Sequence, residues 1–220
     1  GCGDVVAIEA LTGKYAGTRS AIAPEEITSI ASNDRVGYLG ASRAELWRSD
    51  LVRTVEYGHV EAPQEADMQP NECRLTSALT RTELLALTET CDDGAYLRFQ
   101  DTTPEDSRKP ELDASVKVPE GAYLVAISQE SAAYYDPETS EVHAFNKSGQ
   151  ELSSSKVPAL PGPLTLDSGI HPLAVADLPH NMTYHEGRYL MLLEPSSLSV
   201  TGVFDGALGT GFAAGEKLLY

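Results

Sequence analysis

The sequence predicts an all-β protein, a β-propeller of four-stranded antiparallel blades, on three observations. Apolar, strand-like runs end in tight turns at short intervals. That unit recurs about five times along the chain. In the unit at 132–152, proline and glycine interrupt any helix and no 3.6-residue apolar period survives.

The first unit, VVAIEALTGKYAGTRS (5–20), reads as strand, turn at Leu11-Thr12-Gly13, strand. The second, RAELWRSDLVRTVEY (43–57), turns near Ser49-Asp50. The third, AYLRFQDTTPEDSRKPEL (95–112), turns across 101–105. The fourth, AAYYDPETSEVHAFNKSGQEL (132–152), carries two turns and reads as a three-stranded meander. Asp136-Pro137 starts the first turn, because proline presets φ and aspartate bonds its own downstream backbone. Gly149 ends the second, where positive φ is tolerated. The fifth, YLMLLEPSSLSVTGVFDG (189–206), turns at 194–197. GTGFAAGEKLLY, at the C-terminus, reads as the opening of another unit, so the whole is expected to be one propeller over 1–220, either part of a larger propeller cut at both ends or, if the chain is whole, a closed five-bladed ring.

The reference residues Glu9, Ser49, Asp101, Asp136 and Glu194 are 40, 52, 35 and 58 residues apart, scattered about the length of a propeller blade. Insertion loops are therefore expected, and the Pro- and acid-rich stretches at 61–72 and 160–180 are the candidates. YLVAI (123–127) and YLMLL (189–193) are continuously apolar, as strands covered on both faces should be. TRTELLALTET (80–90) is read as a strand despite Thr80 and Glu83 at capping-box spacing. APEEITSI (23–30) is expected to open with one helical turn, since Pro24 and two acids suit a helix start.

Hydrophobic residues make up 41% of the chain, enough for a core, and no apolar run reaches the ~18 residues of a membrane-spanning helix. The net charge of −17 disfavours nucleic acid and anionic membrane as partners. Cys73 and Cys91 bracket a candidate hairpin, and a disulfide between them would stabilise by about 3 kcal/mol in the chain-entropy model. Such a bridge implies an oxidising, extracytoplasmic location, periplasmic, cell-envelope or secreted. Cys2 is left to pair outside this piece, and no Cys/His set has zinc spacing, so no metal is expected.

AIEALTG, YYDPETSEV and LLEPSSLSV resemble the ALDxxTGxxxW signature of quinoprotein-like propeller repeats, in which an acid-to-Thr-Gly turn joins two strands of a blade. Only the first copy keeps Thr-Gly (Thr12, Gly13), and the single tryptophan, Trp47, precedes its turn. The Cys-bracketed hairpin resembles large extracytoplasmic repeat proteins of actinobacteria. Quinone-dependent members of the family bind pyrroloquinoline quinone and calcium, stack the ring on tryptophan and often carry adjacent cysteines. None of those site residues has a counterpart here, so the resemblance implies a non-catalytic member with no cofactor.

The most polar cluster lies in LDSGIHPLAVADLPHNMTYHEG, with Asp167, Ser168, His171, Asp177, His180 and His185. A Ser/His/Asp set supports nucleophilic catalysis if the fold unites it, but no G-x-S-x-G elbow surrounds Ser168. A solvated inter-blade loop is the simpler expectation. Asp92-Asp93-Gly94 suits a hairpin turn better than a calcium loop. Asn146 and Asn181 head glycosylation-type triplets. The function expected is a non-enzymatic scaffold or accessory subunit, with a protein partner in a membrane or envelope assembly, anchored through a segment outside this chain. The alternatives are a hydrolase using 160–185 and a ligand- or glycan-binding propeller.

Overall fold

The computed structural model describes residues 4–60, 73–109, 111–178 and 180–208, and the backbone alone of 214–215 and 218–219. The loop expected at 61–72, and Cys2, lie outside the described residues. Every regular element described is a strand.

Four antiparallel four-stranded sheets form a four-bladed β-propeller, each sheet built from strands consecutive in the chain. Blade 1 has β3 (Ile27–Ala31), β4 (Arg35–Gly40), β5 (Arg43–Arg48) and β6 (Arg53–Gly58). Blade 2 has β7 (Arg74–Arg81), β8 (Leu84–Cys91), β9 (Gly94–Asp101) and β10 (Leu112–Val118). Blade 3 has β11 (Tyr123–Ile127), β12 (Ser131–Asp136), β13 (Glu141–Asn146) and β14 (Glu151–Lys156). Blade 4 has β15 (Val175–Asp177), β16 (Met182–Glu186), β17 (Tyr189–Leu193) and β18 (Val200–Asp205). A hairpin, β1 (Asp4–Ile8) with β2 (Tyr15–Ser20), precedes them, and a short pair, β19 (Ala214–Gly215) with β20 (Leu218–Leu219), follows.

The five sequence units are thus four complete sheets and one hairpin. Their uneven spacing has a simple cause. The turns at Ser49, Asp101 and Glu194 join the third and fourth strands of their blades, whereas the one at Asp136 joins the second and third of blade 3. The equivalent turn in blade 3 is the one at Asn146, where Gly149 has φ +80°. Positions 49, 101, 146 and 194 are 52, 45 and 48 residues apart, a far more even repeat. The helical turn expected within 23–30 does not form. Instead Ile27–Ala31 is β3, paired with β4, and Pro24 packs over Gly40.

β7 packs on β3, β4 and β11, and β11 packs on β16, so the first strands line the axis. The fourth strands of blades 2 and 3 alternate between exposed and partly covered residues, as outer strands do. The core consists of three inter-blade layers. Leu85 and Leu87 face blade 1, while Leu84 and Ala86 face blade 3. Likewise Ala132 and Tyr134 face blade 2, and Ala133 and Tyr135 face blade 4. A strand whose two faces both meet a neighbouring sheet must be apolar at consecutive positions, which explains the unbroken runs in β8, β11 and β12.

Candidate functional site

The connection from β14 to β15 crosses the end of the propeller where the inner strands begin, and it touches every blade. The Leu160 amide donates to the Tyr135 hydroxyl of blade 3 at 3.1 Å, and the Gly162 amide to the Glu186 carboxylate of blade 4 at 2.8 Å. The Ser168 amide donates to Glu26, just ahead of β3, at 2.7 Å. The His171 amide donates to the Thr76 carbonyl of β7 at 2.8 Å. Between these last two, Ile170 is fully buried in the layer between blades 1 and 2. The loop expected to be solvated is a four-blade staple with an apolar pin.

Two carboxylates brace the blades beneath it. Glu186 accepts hydrogen bonds from the hydroxyls of Tyr123 (2.6 Å) and Tyr184 (2.5 Å). Glu89 accepts from Tyr57 of blade 1 at 2.8 Å and from Arg98 Nε at 2.6 Å. Burial, reinforced by these carboxylates, pushes all three tyrosine hydroxyls well above their ordinary range, so they remain donors. Blade 1 carries a further buried network, in which the Trp47 indole donates to Glu45 at 2.9 Å and Arg43 pairs with Glu45 and Glu56.

Cys73 and Cys91 form a disulfide with Cα atoms 4.4 Å apart, tying the start of β7 to the end of β8. Glu89 lies 3.7 Å from Cys91 Sγ, but sulfurs bonded to each other offer no thiolate, so this trio is no metal centre.

Beside the disulfide, under the crossing loop, a pocket of about 280 Å³ opens. Arg74 and Thr76 come to it from β7, Thr88, Glu89 and Thr90 from β8, and Thr165, Gly169 and His171 from the loop. Thr76 and Thr88 share a hydroxyl hydrogen bond of 2.7 Å, and Thr165 Oγ1 lies 3.1 Å from His171 Nδ1. The His171 ring lies against Tyr123, with ring centres 5.7 Å apart. Burial and the nearby Arg74 charge lower the His171 pKa, favouring the neutral imidazole. Gly169 has φ +85°, a backbone conformation that favours glycine, and the Arg74 guanidinium packs close over it, 2.6 Å from where a Cβ would stand.

The residues singled out in the sequence are scattered. Asp167 is exposed and, with Ser168, edges a separate hollow against Glu25 and Glu26. Among the described residues the Ser168 hydroxyl has no hydrogen-bond partner, so His171 does not activate it. Asp177 pairs with Arg81 across the blade 2–blade 4 gap, and His180 is exposed. His185 Nε2 meets the Ala207 carbonyl at 3.1 Å. Arg74 and the Thr76/Thr88 pair were not among those residues. Their one sequence signal is adjacency to the bracketing cysteines.

No family model and no curated protein sequence matches the chain. Solved structures do match. Streptogramin B lyase aligns over 92% of this chain and 62% of its own, with TM-score 0.53 and 12% identity. Apo AztD from Citrobacter koseri aligns over 92% and 56%, with TM-score 0.49 and 13% identity. A protein of unknown function from Bacteroides caccae aligns over 93% and 70%, with TM-score 0.49 and 12% identity. The chain therefore spans between about half and 70% of the length of the structures it matches. At such identities the likeness to the lyase concerns the propeller fold alone.

Proposed function

We propose that the protein is a non-enzymatic β-propeller of an extracytoplasmic, oxidising compartment, serving as an interaction module or accessory subunit of a membrane or cell-envelope assembly. One observation carries the non-enzymatic part. The crossing loop's backbone amides hold blades together, and among the described residues the Ser168 hydroxyl makes no hydrogen bond to a base. The Cys73–Cys91 bridge supports the compartment. The Thr12-Gly13 turn between β1 and β2, with Gly13 at φ +67° and the Thr12 hydroxyl bonded to Glu9, supports membership of the quinoprotein-like repeats, and the Cys-bracketed hairpin supports an actinobacterial setting.

The docking face is the outer side of the β1–β2 hairpin. Its inner side packs on blade 1, with Gly17 against Leu51 and Arg19 over the Trp47 ring. Its outer side exposes Val6, Ile8 and Tyr15. With a net charge of −17, the partner surface that fits is apolar and ringed by basic residues. The test is binding of the immobilised chain to solubilised envelope proteins, against the Val6→Asp/Tyr15→Glu variant. Saturable, salt-weakened binding lost in the variant is expected, and equal binding by both overturns the reading. A second reading, ligand binding beneath the crossing loop, is favoured by the Arg74 pocket.

A further inference from the structure

We infer that the pocket under the crossing loop binds a small hydroxylated monocarboxylate, in the size class of a hexuronate or an aldonate, held through Arg74. This site is separate from the hairpin docking face, so either reading can fail alone.

The argument begins with charge pairing. Among the described residues, Arg35, Arg43, Arg48, Arg53, Arg81, Arg98, Arg108 and Arg188 each meet a carboxylate, and Arg19 donates to the Leu51 carbonyl. Arg74 has neither, though acidic residues outnumber basic ones 33 to 16. It faces a cavity, and Gly169 at φ +85° leaves it room. A guanidinium presents a planar fork of donors that matches a carboxylate bidentately.

The rest of the lining selects the ligand. Glu89 is on the wall, already engaged by Tyr57 and Arg98, and its charge disfavours a second anionic charge near Arg74. A monocarboxylate therefore fits better than a phosphate dianion. The hydroxyls of Thr88, Thr90 and Thr165, with the imidazole of His171, offer donors and acceptors suited to ligand hydroxyls. A volume of about 280 Å³ limits the guest to roughly one sugar ring.

The experiment is calorimetric titration of the whole chain at low salt with glucuronate, galacturonate, gluconate, glucose and inorganic phosphate. At least one of the three carboxylates is expected to bind saturably, about tenfold or more tighter than glucose or phosphate. Arg74→Gln should remove that preference, whereas Arg188→Gln, on an exposed pair with Asp205, should not. Arg74 is exposed at a strand start, and matched melting curves verify that its variant folds. Binding of glucose as tight as that of the acids, no binding of any of the three carboxylates, or unchanged binding in Arg74→Gln each overturns the inference.

Discussion

The Tyr57 hydroxyl of β6 donates to the Glu89 carboxylate of β8 at 2.8 Å, fastening blade 1 to blade 2 through a bond that is buried at both ends. Glu89 is also the partner of Arg98, so two side chains depend on one carboxylate.

That dependence predicts an order of damage. Tyr57→Phe removes one donor and should cost about 1–3 kcal/mol. Glu89→Gln removes the charge that compensates Arg98 in the interior and should cost more, about 3–5 kcal/mol. For a chain of this length each kcal/mol lowers Tm by about 2–4 °C. Thermal melts of the two variants check it, and the order Tyr57→Phe worse than Glu89→Gln contradicts the arrangement.

The strands and their turns were legible because they are local. Two-sided apolar runs such as YLVAI need no distant information, and neither do Asp-Pro and Ser-Gly turns. The disulfide was legible once Cys73 and Cys91 bracketed a hairpin. Turn phase was not, since a turn between strands two and three carries the same residues as one between three and four. The Tyr57–Glu89 and Tyr123–Glu186 clasps join residues 32 and 63 positions apart, and nothing local marks them. Arg74 stands out because, among the described residues, no carboxylate pairs with it, a property that exists only once the other arginines have been placed.

Reduction of the Cys73–Cys91 bridge frees a loop of 18 residues in the unfolded chain. The chain-entropy model puts the loss at about 3 kcal/mol. Urea unfolding with and without reductant should show a lowered midpoint, and the Cys73→Ala/Cys91→Ala variant should be insensitive to reductant. Mass spectrometry of the unreduced protein finding two free thiols there would remove the compartment argument as well.

Acid stability should depend on Glu194. Its carboxylate accepts the Ser196 hydroxyl and the Ser197 and Ser196 amides, which hold its pKa at about 2, below the ordinary 4.5. A carboxyl whose pKa is depressed by folding stabilises fully above its unfolded value and loses that contribution as pH falls through the folded one. Wild type and Glu194→Gln should therefore differ most above pH 4.5 and converge towards pH 2. Urea midpoints measured across that window test it, and a gap that widens on acidification contradicts the sign.

Two apolar residues in the crossing loop should behave oppositely. Leu164 is 75% exposed, whereas Ile170 is 0% exposed and packs between blades 1 and 2. Leu164→Ala should change stability by no more than about 0.5 kcal/mol. Ile170→Ala leaves a cavity and should cost about 2–5 kcal/mol. The loss should also be local. Ile170 is the pin between the Ser168–Glu26 and His171–Thr76 bonds, so its truncation frees the loop before the blades. Hydrogen exchange should then accelerate at the amides of Ser168 and His171 while β12 and β17 stay protected. Acceleration spread evenly over all four blades would mean that Ile170 supports the whole fold rather than the staple, and the loop would lose its place as a separable cover for the pocket.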